Sequence, residues 1–271
     1  MNETSPKRIG LLAGSGDIPV YFARRARDKG IKLVSIAFSD DIDARLAPYA
    51  EKNYSIPIGR AGKIHQTLKD ENVADLIILG KVEKNLIFKL QLFDFQALKF
   101  LARLKNKEDK TVMTGIIQTL ENDGFKVLDQ RECMREIFPG AGLLTRNRPS
   151  PAEMEDIGFG IPLARKMADL EIGQTLVVKN KTVIAVEAIE GTDRALERGC
   201  TLARDRAVAI KVSRTEQDFR YDCPGVGPET VRTLVRGRAS VLALEAGRIM
   251  LIDQAETVRL ADAAGLSILC V

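Results

Sequence analysis

The chain has 271 residues, 45% hydrophobic and 29% charged, which suits a soluble globular protein built as one large domain or two ordinary ones. Its 41 basic and 37 acidic residues leave a net charge of only +4, and aromatic residues make up 5%. It therefore lacks both the clustered excess charge of a phosphate-driven nucleic-acid binder and the stacking platform of a base reader.

In chain order, RIGLLAG predicts a strand and Ile18 to Lys29 a helix, with Gly30 as its cap. IKLVSIAF is the next strand, KIHQTLKDEN a short helix and ADLIILG a third strand. Strands separated by helices predict a parallel sheet with helices on its faces. Residues 84–107 are helical in pattern and rich in apolar side chains, Thr111 to Asn122 is a second helix, and FKVLD closes the unit. The proline- and glycine-rich stretch FPGAGLLTRNRPSPA breaks the pattern. We expect a Rossmann-like parallel-sheet domain over residues 1–140 and a second α/β domain, with a mixed sheet, over 141–271.

The second half opens with a helix, Glu153 to Asp169. TLVVKNKTVIAVEAIE then reads as two strands joined at Asn180-Lys181, and ERG closes a short helix at Gly199. VAIKVS is a strand, and GPETVRTLVRG is a helix with Pro228 in its first turn and Gly237 past its end. SVLALEAG, RIMLID, a helix from Ala255 to Ala264 and LSILCV complete the chain.

Four scattered cysteines, with no C-x-x-C pair, argue against a zinc site or a disulfide framework. No apolar run is long enough to span a bilayer, and MNETSPKRIGLLAGSG does not read as a signal peptide, so the expected location is cytoplasmic. His65, the single histidine, falls inside a predicted helix without a Ser or Cys motif near it, which fits a surface residue better than a catalytic base.

Three stretches carry chemistry. Gly14-Ser15-Gly16 sits between a strand and a helix, where backbone N–H groups can meet a phosphate; Pro19 in place of the third fingerprint glycine disfavours NAD. Gly80-Lys81 ends another strand on the side where open α/β sheets bind ligands. Glu187, Glu190 and Asp193 follow an apolar strand, and Asp218, Arg220 and Asp222 alternate in a loop after Lys211. In extended chain the last three share a face; in a helix Asp218 and Asp222 are neighbours. Carboxylates in such numbers suit Mg²⁺, with Lys211 and Arg220 adding fixed positive charge toward a phosphate. The competing account is two charged surface loops with Thr192 or Asp193 as a helix cap.

IGLLAGSGDIPV, GKV at 80–82, GQTLVVKNKTVIAVEAIEGTDRALERG, IKVSRTEQDFRYDCPGVGPETV, LALEAGRIMLID and ADAAGLSILCV, in this order, resemble the LpxI-type UDP-2,3-diacylglucosamine pyrophosphatases over nearly the whole chain. The resemblance implies Mg²⁺-dependent hydrolysis of UDP-2,3-diacylglucosamine to UMP and 2,3-diacylglucosamine 1-phosphate in lipid A biosynthesis, with the substrate held between two domains. It implies a catalytic set of Asp222, Asp218, Glu187, Glu190 and Asp193, with Asp222, Asp218 and Glu190 as metal ligands. Gln217 and Arg220 would orient the diphosphate, Gly14, Ser15, Gly16 and Lys81 would bind from the first domain, and Gln174, Gly191, Thr192, Lys211 and Thr230 complete the expected substrate-binding set. A homodimer and peripheral contact with the inner membrane stay open. Phe88, Phe93, Phe95 and Phe100 could line an acyl groove or lie on a membrane, but an apolar stripe at helical spacing favours a core helix. The rival class is a non-catalytic sugar-nucleotide-binding protein using the same inter-domain cleft.

Overall fold

A computed structural model describes residues 8–82, 93–103 and 109–271 of the chain. The chain divides into two compact units, Met1–Cys133 and Met134–Val271. No described helix is long and apolar enough to cross a membrane.

In the first unit, strands β1 (Arg8–Ala13), β2 (Lys32–Ala37), β3 (Lys52–Ser55), β4 (Asp75–Leu79) and β5 (Lys126–Val127) form an all-parallel sheet in the order β3-β2-β1-β4-β5. β1 and β2 are buried along nearly their whole length, as strands covered on both faces must be. Helices α1 (Ile18–Asp28), α2 (Asp40–Leu46), α3 (Ala61–Asp70), α4 (Phe95–Arg103), α5 (Asp109–Asn122) and α6 (Gln130–Cys133) complete the unit. Gly30 follows α1 at φ 69°, the left-handed conformation expected of a terminating glycine.

The sequence pattern did not reveal α2 and β3, so ADLIILG is the fourth strand in chain order and not the third. SDDIDARL looks like a polar turn, but Asp40, Asp41 and Asp43 in the first turn complement the helix dipole while Ile42 and Leu46 are buried. KNYS lies at the sheet edge with no fully buried residue, so it lacks an apolar signature.

Of the helix expected over residues 84–107, the described part is α4; residues 83–92 and 104–108, Phe88 among them, lie outside the described residues. Within α4, Ala97 is buried, but Phe95 and Leu98 are exposed, against the expectation of a core helix. His65 is half-buried, not a surface residue: its Nε2 lies 3.1 Å from Asp123 Oδ2 and its ring packs edge-on against Phe125.

The strand order reverses between β1 and β4, the switch point where open α/β sheets leave a crevice. Here the turn after β1 crosses the turn after β4. Ser15 N–H donates to Lys81 O at 2.8 Å, and Lys81 N–H returns a bond to Ser15 O at 2.9 Å. A Cβ on Gly14 would stand 2.4 Å from Lys81 O, so glycine is needed for this backbone crossing.

The second unit begins with β6 (Gly142–Leu143) and α7 (Pro151–Asp169). α7 is started by a capping box in which Ser150 and Glu153 satisfy one another's backbone N–H groups. β7 (Thr175–Lys179) and β8 (Thr182–Val186) form the expected hairpin. Asn180 and Lys181 both have positive φ, 51° and 54°, as a two-residue primed turn requires. The buried Asp156 carboxylate secures that turn, accepting from Asn180 N–H at 2.9 Å and Lys181 N–H at 2.6 Å.

α8 (Thr192–Ala203), β9 (Val208–Lys211), β10 (Gly225–Val226), α9 (Pro228–Arg236), β11 (Val241–Leu244), β12 (Met250–Leu251), α10 (Gln254–Ala264) and β13 (Ser267–Cys270) follow. Six strands make one mixed sheet in the order β6-β13-β11-β9-β7-β8, parallel at β13, β11 and β9 and antiparallel toward both edges. β10 and β12 pair separately. Alternation along the strands sorts the core: Leu176, Val178, Val208 and Ile210 pack under α7, whereas Val177, Ala209, Leu242 and Ile268 pack with buried residues of α8, α9 and α10.

One helix end differs from expectation. Gly199 does not terminate α8, which runs on to Ala203. Its role is packing: a Cβ there would lie 2.6 Å from Val177 Cγ2 on β7. Gly199→Ala should therefore lower the free energy of unfolding by about 1–3 kcal/mol, the usual cost of forcing a methyl into a packed interior. Urea unfolding of the variant beside wild type checks this, and equal midpoints would mean that Val177 yields without cost.

Candidate active site

The strand ends of the second unit converge on one buried cation. Lys211 is the last residue of β9 and is 4% exposed. Its ammonium donates to Thr192 Oγ1 at 2.8 Å, at the start of α8, and to Thr175 Oγ1 at 3.0 Å, at the start of β7. Glu187, just past β8, brings Oε2 to 3.7 Å. Thr192 Oγ1 in turn donates to Glu187 Oε1 at 2.8 Å, and Gln174 N–H donates to Glu187 Oε2 at 3.3 Å.

Burial pulls the Lys211 ammonium below the ordinary lysine range, against the opposing pull of Glu187, Asp193 and Asp222. Burial also works to raise the Glu187 carboxyl. The Lys211 charge, the hydroxyls of Thr175 and Thr192 and the Gln174 N–H overcome it and hold Glu187 below the carboxylate range. Three of the five expected carboxylates, Glu187, Asp193 and Asp222, thus act on one lysine.

Asp193 is exposed in the first turn of α8 and accepts from Thr230 Oγ1, in the first turn of α9, at 3.2 Å. Gly191 caps α8 at φ 82°. Asp222 closes a helical turn with Asp218, its N–H reaching Asp218 O at 3.1 Å. The two carboxylates nevertheless part company. Asp222 Oδ2 is bound by the Arg214 guanidinium and, at 2.6 Å, by Gln217 Nε2. Asp218 takes the N–H of Arg220 at 3.0 Å and its Nε and Nη2 at 3.0 and 2.8 Å. Burial works to raise Asp218, and the Arg220 contacts hold it below the usual range.

Glu190 belongs elsewhere: Arg198 Nη2 binds its Oε1 at 2.6 Å and lowers its pKa. Among the described residues no three histidine, cysteine or acidic side chains gather as a metal-holding cluster. The expected trio of Asp222, Asp218 and Glu190 is therefore not brought together, because each carboxylate is drawn to a different arginine. In the first unit, Gly14, Ser15, Gly16 and Lys81 do come together, but the Ser15 and Lys81 N–H groups are spent on each other.

Several functional neighbours carried no signal in the sequence. Arg214, and not the Arg220 that alternates with the two aspartates in sequence, binds Asp222. The loop from Ser213 to Asp222 is pinned by Glu245 at the end of β11, whose Oε2 accepts from Ser213 N–H and Oγ, both at 2.8 Å. Arg248 donates to Ser213 Oγ at 2.5 Å and to Arg214 O at 2.7 Å, and it stacks 4.9 Å from the Phe219 ring centroid. Only the fold brings these residues beside the loop.

Cations and carboxylates gathered at the strand ends of an α/β unit form an arrangement suited to anionic ligands. Comparison with known proteins narrows this. The model of the LpxI N-terminal domain matches residues 8–137 and that of the LpxI C-terminal domain matches residues 140–269. The UDP-2,3-diacylglucosamine pyrophosphatase LpxI of Caulobacter vibrioides is 31% identical over 274 residues, covering 97% of each chain. The chain belongs to the LpxI family. Among solved structures, glycinamide-RNase-transformylase T from Mycobacterium tuberculosis matches at 13% identity and a TM-score of 0.28, over 68% of this chain and 44% of its own. The biotin carboxylase domain of the Hydrogenobacter thermophilus 2-oxoglutarate carboxylase matches at 15% identity and 0.27, over 73% and 41%. Likenesses this distant carry no argument about the site.

Two outcomes follow from the buried pair. Lys211→Met strands Glu187 in the interior and should cost about 3–5 kcal/mol of stability, with partial recovery when Glu187→Gln is added; denaturant unfolding of the two variants measures both. Because the folded Glu187 carboxyl lies below its unfolded value, its contribution is complete above the ordinary glutamate range and is lost as pH falls through the folded value. Wild type should therefore lose stability on acidification more steeply than Glu187→Gln, as read from melting temperature against pH; parallel curves would remove Glu187 from this role.

Proposed function

We propose that this chain is a diphosphatase that hydrolyses UDP-2,3-diacylglucosamine to UMP and 2,3-diacylglucosamine 1-phosphate, in lipid A biosynthesis. Family membership and the name of the Caulobacter relative support the substrate. The observation that carries the chemistry is the state of Asp222: Oδ2 is anchored by Arg214 and Gln217, while no described residue donates to Oδ1. A carboxylate held by one oxygen presents the other in a fixed direction.

In the reaction a water oxygen bonds to phosphorus as the bridging P–O bond breaks, and two phosphate monoesters leave. Asp222 Oδ1 is the base that orients this water and takes its proton. Lys211 supplies positive potential toward the charge that develops, strengthened by its burial. Arg214 keeps Asp222 aimed. Thr192 and Gly191 place the start of α8, with its exposed Asp193, beside the same lysine.

Magnesium would be held here mainly by substrate phosphate oxygens and water, with Asp222 Oδ1 acting on it through the water that it orients. Asp218 and Glu190 do not fit as its ligands while Arg220 and Arg198 hold them. When bound, the ion would neutralise charge on the diphosphate. The reading keeps the enzyme cytoplasmic, within reach of an acylated substrate at the inner-membrane surface.

UMP release from UDP-2,3-diacylglucosamine, with Mg²⁺ and with EDTA, tests the proposal. Wild type should release UMP only with the metal, and Asp222→Ala should lose about 10²–10⁴-fold in kcat, the range for removing a general base. A folded wild type that releases none under any metal would leave a sugar-nucleotide-binding protein as the better reading.

A further inference from the structure

A glutamine side chain offers one carbonyl oxygen with two lone pairs and one amide nitrogen with two N–H donors. Gln217 has spent all of these inside the protein, where it is 8% exposed. Its Oε1 accepts from Gln174 Nε2 at 2.8 Å and from Arg214 N–H and Nε–H, both at 3.2 Å. Its Nε2 donates to Asp222 O at 2.7 Å and to Asp222 Oδ2 at 2.6 Å. The amide has one acceptable orientation, because a flip would set its NH₂ against the Arg214 donors and its oxygen against a carboxylate. No capacity remains for a diphosphate oxygen, the role that the family resemblance implied for Gln217.

We infer that Gln217, backed by Gln174, is a positioning residue that aims the Asp222 carboxylate and does not touch substrate. The inference rests on the diphosphatase reading, in which Asp222 is the base. The line of bonds runs one way, from Gln174 to Gln217 to Asp222. Gln174 also donates its backbone N–H to Glu187 Oε2, so one residue ties the Glu187–Lys211 pair to the Asp222 side. Rotation of the Asp222 carboxylate about its Cβ–Cγ bond would swing Oδ1 away from the attacking water. Two donors on Oδ2, one from Gln217 and one from Arg214, prevent it.

Steady-state UMP release by wild type, Gln217→Ala, Gln217→Glu, Gln174→Ala and the Gln174→Ala/Gln217→Ala double variant tests this. A misaimed base costs turnover and spares binding, so Gln217→Ala should lower kcat about 10²-fold with KM held within about twofold. Gln217→Glu keeps the volume but sets a second carboxylate against Asp222, and should lower kcat at least as far. Gln174→Ala should lower kcat less, again without raising KM. The double variant should be no worse than Gln217→Ala alone, because residues acting as one unit are not additive. A raised KM with kcat kept would show Gln217 binding substrate and overturn the inference, as would losses that multiply in the double variant. Thermal unfolding of each variant separates misfolding from misaiming; if Gln217→Ala does not fold, the KM and kcat of Gln217→Glu and Gln174→Ala decide. Absence of UMP release by wild type would overturn the functional reading and this inference with it, a result distinct from a KM effect in the variants.

Discussion

Lys211 is a cation almost wholly withdrawn from water, and much of the second unit is arranged around that fact. An ammonium in an apolar interior is costly unless it is paired and hydrogen-bonded. β9 delivers the lysine from between β11 and β7, so its partners must come from the elements alongside. β7 contributes Thr175 at its first residue, the β8 exit contributes Glu187 and the first turn of α8 contributes Thr192. The hydroxyl of Thr192 accepts from the lysine and donates to the glutamate, so it fixes the proton order between the two charges. The close approach needs small residues nearby: a Cβ on Gly173 would stand 2.1 Å from Glu187 O.

The loop after β9 solves a different problem. Residues 213–222 have no sheet or long helix to hold them, yet Asp222 needs a fixed orientation for any chemistry. Side chains from the segment after β11 take over: Glu245 binds both Ser213 donors, and Arg248 spans Ser213, Arg214 and Thr215. At the other edge Asp169, the last residue of α7, accepts from Thr215 N–H and Oγ1 at 2.7 and 2.8 Å. The loop is therefore held by side-chain hydrogen bonds from two sides in place of a ladder or a helix.

Much of this architecture was readable from local chemistry. Asn180-Lys181 between two apolar runs reported a hairpin because few residue pairs accept two positive φ values. Pro228 and Gly237 bracketed a helix because one lacks an N–H and the other propagates helix poorly. The acidic stretch at 187–193 and the Lys211 strand end marked one site because polar residues that follow buried strands must face something. What stayed hidden has a common cause. α2 and β3 are short and amphipathic only when seen against β2. Gly199 resembles a helix stop unless Val177 is known to lie beneath it. Gln217, Arg214, Glu245 and Arg248 are ordinary polar residues whose partners lie up to 80 positions away in sequence. Spacing suggested that Asp218, Arg220 and Asp222 act together. Folding split them, because the turn lets Arg220 reach back to Asp218 while Asp222 turns to Arg214.

The division of carboxylates between separate cations has a consequence for how the site meets a diphosphate. Uncompensated acids would repel the phosphates; here Asp218, Glu190 and Glu187 each sit against a basic group, and Asp222 is held by Arg214. The field around Lys211 is thus set before any ligand arrives, and dipoles and charges already in place need no reorganisation during reaction. Such an arrangement is bought with stability, since a buried lysine and a half-exposed aspartate contribute less to folding than apolar residues of like volume would. That the surrounding β-sheet is so thoroughly apolar, with every residue of β11 buried, is the counterpart of this cost: the core carries the fold so that the strand ends can carry charge.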